Sequence, residues 1–258
     1  KAVIQELKMG RDNYTGTIIK DLLSAIFPDH PYHYPVIGYK QDLWNIHSED
    51  LHKFYKKHYL PNNATLVIVG DVDPDDAFAA AENSFWNIEP NKEYKKESFY
   101  WNTDIVAKSV TLYRDVAQPA CLFAWAIPGA KTKNYEVLEF ANLIIGSGKA
   151  SRLYRKIVDE EQIATSLESF TWNLFDHGLF FIYVEPTDIE CIDQIKTIIN
   201  QELQSICDNG VEDKELERAL SLAQTQFYDL LENSQQQAYA LGEAYLATGS
   251  EDYIFNFF

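Results

Sequence analysis

A chain of 258 residues, 46% hydrophobic and 14% aromatic, has enough apolar side chain for one large globular core or two ordinary ones. Its 39 acidic and 22 basic residues leave a formal charge of −17, which repels phosphate backbones and argues against nucleic acid as a partner. No apolar run approaches the roughly 18 residues that a membrane-spanning helix needs, and runs such as Ala64–Val69 are strand-sized.

In chain order, Ala2 to Phe27 carry helical periodicity through Val3 and Leu7, then Ile18, Ile19, Leu22, Leu23 and Ile26, with a break at Asn13 to Gly16. Three prolines, Pro28, Pro31 and Pro35, mark a loop. Ser48 fits an N-cap, followed by a helix over Glu49 to Tyr59 with Leu51, Phe54 and Tyr55 on one face. Ala64 to Gly70 reads as a buried strand, and Asp73 with Pro74 opens a helix that runs to about Phe85. Asn87 to Asp104 is polar and irregular and reads as a linker between two units.

The second unit opens with strands near Ser109 to Asp115 and Ala120 to Ile127, followed by a helix from Tyr135 to about Ile145. Gly146 to Gly148 form a turn, and Ala150 to Glu161 a helix with Leu153, Ile157 and Val158 as its apolar stripe. Thr165 to Asn173 and Leu179 to Glu185 pair around a turn at Asp176 to Gly178. Long helices cover Ile189 to Cys207 and Asp213 to Glu232, and another starts near Ser234. Strands in blocks followed by helices in blocks give an α+β class rather than a doubly wound parallel sheet. Lys1 opens directly into helical pattern and Tyr253 to Phe258 end without a cap, so both ends read as cuts through folded elements.

The chemistry-bearing residues are sparse. No phosphate loop, nucleophile elbow or His-Glu-x-x-His sequence occurs. Cys121, Cys191 and Cys207 have neither zinc-ribbon nor redox spacing, and an odd number sets no disulfide framework. None of His30, His33, His47, His52, His58 and His177 makes a helical i, i+4 pair, and His30 and His33 are read as shaping their proline-rich loop. Arg152 and Arg155 are expected to pair with Asp159, Glu160 or Glu161 along one helix rather than to bind an acidic ligand. By pattern alone, Glu6 is a helix-surface glutamate beside Val3 and Leu7.

Four stretches together resemble the insulinase (pitrilysin) family of zinc peptidases. VIQELKMGRDN resembles the helix carrying that family's third zinc ligand, and His30 to Pro74 resembles the segment after it. YLPNNATLVIVGDVDP is the most specific part of that segment. GSGKASRLYRKIVDEEQIATS resembles a helix and strand start in the family's second unit, and the strand pair and helices after it also fit. The resemblance implies two related α+β sandwich units of antiparallel or mixed sheet packed with helices. The first, about 1–104, is an N-terminally truncated zinc-bearing domain, and the second, about 105–258, lacks its final helices.

It further implies that Glu6 is the distal zinc ligand. Two histidines and the general-base glutamate of an inverted His-x-x-Glu-His motif would lie upstream, since that motif does not occur between Lys1 and Phe258. Zinc lowers the pKa of its bound water toward about 7, and a carboxylate then takes the proton. Zn²⁺ is therefore expected in the full-length protein, while this chain alone is expected to be metal-free and inactive. The implied partners are a peptide substrate bound as an added strand, and a homologous half or subunit supplying an Arg and a Tyr where this chain has Val158 and Thr165. The alternatives carried alongside are a non-catalytic partner or structural subunit of the same fold, and an unrelated α+β binding module.

Overall fold

The structure, a computed structural model, describes residues 2–10, 14–95, 107–129, 132, 135–172, 174 and 177–250. It divides into two compact units, Lys1–Tyr113 and Arg114–Phe258.

The first unit is helical: α1 (Ala2–Gly10), α2 (Tyr14–Ile26), α3 (Lys40–Asn45), α4 (Ser48–His58) and α5 (Pro74–Phe85). Asp73 caps α5 as its sequence predicts, its Oδ1 accepting the Asp75 and Asp76 N–H groups at 2.9 and 3.2 Å. The cap of α4 is His47 rather than Ser48, and the His47 N–H donates to Asp50 Oδ2 at 3.0 Å. The proline-rich loop holds a 3₁₀ turn, Pro31–His33, and α3 is a short helix that periodicity does not reveal because it is a turn and a half long. Among the described residues of this unit only Phe27 and His30 are buried.

Two expected strands do not form. Ala64–Gly70 is extended at Ala64 (φ −123°, ψ 145°) but belongs to no sheet, and the Ser109–Asp115 stretch likewise joins no ladder. β-propensity makes a chain fit for a strand, but a strand exists only when a neighbouring strand takes up its main-chain hydrogen bonds, and neither segment is paired in the described sheet.

The second unit has its ladder. A three-stranded antiparallel sheet runs in the order β1 (Cys121–Pro128), β3 (His177–Pro186), β2 (Ala164–Trp172). The central strand β3 reads almost continuously apolar because both its faces are covered. Phe180, Ile182 and Val184 face a core built with Ile145, Leu153, Ile157, Ile195, Ile198 and Ile199 from the helices. On the opposite face Phe181 stacks on Phe170 at 4.8 Å. Each fully buried Leu, Ile or Phe contributes about 1.5–3 kcal/mol, so this layer dominates the unit's stability. The helices are α6 (Tyr135–Ile145), α7 (Arg152–Tyr154), α8 (Ile192–Asn209), α9 (Asp213–Glu232) and α10 (Ser234–Thr248), and a 3₁₀ turn at Ile189–Cys191 leads into α8.

The predicted helix over Ala150 to Glu161 is a correction in kind. Three α-helical residues pass into a π-helical turn, Arg155–Glu160, closed by the Glu161 N–H on the Lys156 carbonyl at 3.0 Å. Gln162 then takes a left-handed φ of 55° and a bulge follows between Ala164 and Ser166. Arg152 does not pair along its own helix either. Its Nε and Nη2 donate to Glu215 Oε1 and Oε2 on α9 at 2.6 and 2.5 Å, a two-pronged bond that ties α7 to the start of α9. The local pair is made instead by Lys156, with Glu160 at 3.0 Å.

Between α6 and β2 a polar pair is buried, with Ser169 Oγ donating to Asn142 Oδ1 at 2.5 Å. Gly146 sits against it, where an added Cβ would lie 2.6 Å from Ser169 Oγ and 2.8 Å from Ser169 Cβ. Of the remaining expectations, 96–104 of the linker, Asn173, Asp176 and Tyr253 to Phe258 lie outside the described residues.

Gly146→Ala forces Ser169 off its bond and is expected to cost about 2 kcal/mol in urea unfolding; a cost below about 0.5 kcal/mol contradicts the close packing. Arg152→Ala is expected to cost about 1–2 kcal/mol at pH 7. The hydrogen bond from Arg152 is the main reason that the Glu215 carboxyl is held below its ordinary value of 4.5, so this stability is present above that value and lost as pH falls through the lowered one. The difference between wild type and variant should therefore shrink below about pH 4.5. A difference that does not change with pH contradicts the assignment.

Candidate functional site

The α1 helix lays Val3 and Leu7 along one side and carries Glu6 beside them, exposed to solvent. α1 runs against the short α3. Zinc requires three or four donors within about 2.0–2.3 Å. Among the described residues no group of three or more His, Cys, Asp or Glu side chains converges in a way that could hold a metal ion. Glu6 therefore has a ligand's chemistry without companions here. The described residues do not make a zinc site, and no hydrolytic step follows from them.

The histidines explain why. His30 is buried, and its Nδ1 accepts the Tyr32 N–H at 3.1 Å while its ring lies 5.5 Å from that of Phe27. His33 Nδ1 lies 3.3 Å from the Ser24 carbonyl oxygen, and the Ser24 hydroxyl donates back to the His33 carbonyl at 3.2 Å. Both rings thus fasten the proline-rich loop to the end of α2. His47 caps α4, His58 packs its ring 4.5 Å from Phe54 on the same helix, and His52 is exposed.

Val158 and Thr165 are the two positions at which the family resemblance implies an Arg and a Tyr in a partner half. The Val158 side chain packs against the core cluster of the second unit, on the π-helical turn. The Thr165 hydroxyl lies in the bulge, accepting from Gln118 Nε2 at 2.7 Å and lying 3.3 Å from the Glu185 carbonyl it donates to. Gln118 also reaches the Pro186 carbonyl at 3.3 Å. Neither position offers a cation or a phenol. Arg152, one of the two arginines suited to an acidic group, is committed to Glu215. The sequence held no signal for the Gln118–Thr165 contact, which spans 47 residues and depends on the bulge.

The thiols add no second site. Cys121 lies on β1, and burial pushes it up to about 11, so it stays protonated and inert as a nucleophile at neutral pH. Cys207, on α8, is exposed and Cys191 half-buried.

Comparison with known proteins adds the family. The chain is similar to the zinc protease PqqE of Helicobacter pylori, 26% identical over 184 residues, covering 70% of this chain and 41% of that protein. It is also similar to cytochrome b-c1 complex subunit 1, mitochondrial, of Saccharomyces cerevisiae, 26% identical over 266 residues, covering 97% of this chain and 57% of that subunit. The chain thus spans about half the length of these curated relatives. A crystal structure of a protease from Helicobacter pylori superposes with a TM-score of 0.84 over 99% of this chain and 63% of its own; at 21% identity this shows a shared fold. The family description "Peptidase M16 inactive domain" matches residues 45–222, well over half of the sequence, and the chain belongs to that family of insulinase-type peptidases.

Proposed function

We propose that this chain is part of the zinc-bearing half of a two-part metalloendopeptidase, in which it contributes one metal ligand, Glu6, and cuts no peptide by itself. The observation that carries this reading is the state of Val158 and Thr165: one is half-buried and packed against the core, and the other is tied to Gln118 and the Glu185 carbonyl. With no cation or phenol at those positions, the Arg and Tyr that touch the peptide come from a homologous half or subunit. The names of relatives as zinc proteases support the metal, and the resemblance of Val3 to Asn13 to a ligand-bearing helix supports Glu6.

In this reading the first unit, about 1–104, is the later part of the zinc-bearing domain, and about 105–258 is a related, second sandwich. The remaining ligands and the general base lie in a His-x-x-Glu-His motif elsewhere in the complete polypeptide. Bound there, zinc would activate a water for attack on a peptide carbonyl. The part of this chain's own residues is to present a carboxylate from α1. The peptide docks as an added strand, so main-chain bonds set its affinity and sequence preference is loose.

A second reading is a non-catalytic subunit of the same fold. The likeness to a cytochrome b-c1 complex subunit along 97% of this chain favours it. The two part company on metal and cleavage. In the complete reading frame the peptidase reading predicts stoichiometric zinc, chelator-sensitive peptide cleavage, and an occupancy about 10-fold or more lower in Glu6→Gln. Full occupancy in that variant shows that Glu6 is not the ligand. Neither zinc nor cleavage in the parent protein leaves the non-catalytic subunit.

A further inference from the structure

Between Arg152 and Ser166 the chain carries a surplus residue in two places. In the helix it makes the π turn at Arg155–Glu160, where the Glu161 N–H reaches back five residues to the Lys156 carbonyl at 3.0 Å. In the sheet it makes the bulge between Ala164 and Ser166. Gln162 lies between the two with a left-handed φ of 55°, a conformation that glycine takes freely and a side-chain-bearing residue takes at a cost. π turns, bulges and left-handed residues gather where a chain has to change shape.

Two helical registers are closely matched here. Four residues exceed an α turn of about 3.6 residues and fall short of a π turn, so the fully buried Leu153 and Ile157 share a face in either. The Ile157 carbonyl, which an α turn gives to the Glu161 N–H, is held instead by the Ile163 N–H at 3.1 Å. One acceptor thus has two claimants. Lys156 is divided in the same way: its Nζ lies 3.0 Å from Glu160 Oε2, four residues on, and 3.9 Å from Glu161 Oε1, five residues on. Exposed pairs of this kind are weak, so they tilt a balance without fixing it. The strand side is anchored, because the Ile163 carbonyl accepts both the Thr187 N–H at 3.0 Å and the Thr187 hydroxyl at 3.2 Å.

We propose that Arg155–Glu161 is a two-state switch between this π register and an α register, with Gln162 as its pivot. On switching, the Glu161 N–H passes from the Lys156 carbonyl to that of Ile157, the Ile163 N–H is released, and the surplus residue moves into the connection. Gln162 then leaves the left-handed region. Val158 stands on the switching turn and Thr165 beyond the pivot, so the switch changes the spacing of these two positions. Its bearing on a partner's Arg and Tyr rests on the peptidase reading above; the switch itself does not.

Amide relaxation dispersion on the complete encoded protein, isotope-labelled at Glu and Ile, tests this. The expected result is millisecond exchange at Glu160, Glu161 and Ile163, absent from Ile195 and Ile198 of α8. Two resolved peaks for the Ile163 amide carry the same meaning. Gln162→Gly removes the left-handed cost and should enrich the π register about 5-fold or more, while Gln162→Val raises that cost and should move the Ile163 amide the opposite way. A single Ile163 peak without exchange overturns the switch, as does a shift in the same direction in both variants. If Gln162→Val does not fold, Gln162→Gly decides alone: quenched exchange upholds the switch and unchanged exchange overturns it. Zinc content and peptide cleavage of the same sample report on the peptidase reading separately. Zinc and cleavage without exchange overturn the switch alone, and exchange without either upholds it and removes the peptidase reading.

Discussion

A β-strand is completed by its neighbour, and this condition separates the two units. In Arg114–Phe258, β3 lies between β1 and β2, so its hydrogen bonds are met on both edges and its side chains are covered on both faces. Leu179, Phe181, Ile182 and Val184 are fully buried as a result. In Lys1–Tyr113 the most strand-like segment, Ala64–Val69, joins no sheet among the described residues, and α4 and α5 on either side of it in sequence hold no buried residue. Among the described residues, the unit with the sheet has a core, and the other has Phe27, His30 and a fastened loop.

The same contrast bears on function. In the second unit the candidate side chains are engaged by packing or bonds. Val158 is packed inward, Thr165 is bonded through Gln118, Arg152 holds Glu215, and burial keeps the Cys121 thiol protonated. Three backbone irregularities, the π-helical turn, the left-handed Gln162 and the bulge, follow one another over 155–166, the stretch that carries Val158 and Thr165. The carboxylate of Glu6, by contrast, is exposed on α1 of the first unit.

Much of the fold was legible from the residues. Asp73 with Pro74 announced α5, α9 fell on Asp213–Glu232 as its periodicity predicted, and β2 lay within a residue of its expected span, with β3 one to two residues longer at each end. The misses share a cause. Ala64–Gly70 and Ser109–Asp115 have strand composition, but a sequence shows propensity and hides the partner. Arg152 was assigned neighbours at helical spacing, whereas its carboxylate sits 63 residues away, because a two-pronged bond to a fixed glutamate outcompetes mobile local ones. The π-helical turn was hidden because one extra residue per turn leaves the apolar stripe through Leu153 and Ile157 intact. Of the candidate site, the chemical type of Glu6 was readable, while the engagement of Thr165 by Gln118 was not.

The difference in core between the two units is measured most directly by native-state hydrogen exchange of the 258-residue chain in rising urea. It predicts that the amides of Phe180–Val184 open last, at the global free energy of the second unit. Those in α4 and α5 should exchange at close to unstructured rates before that transition begins. Equal protection of α4, α5 and β3, lost together in one transition, would contradict it.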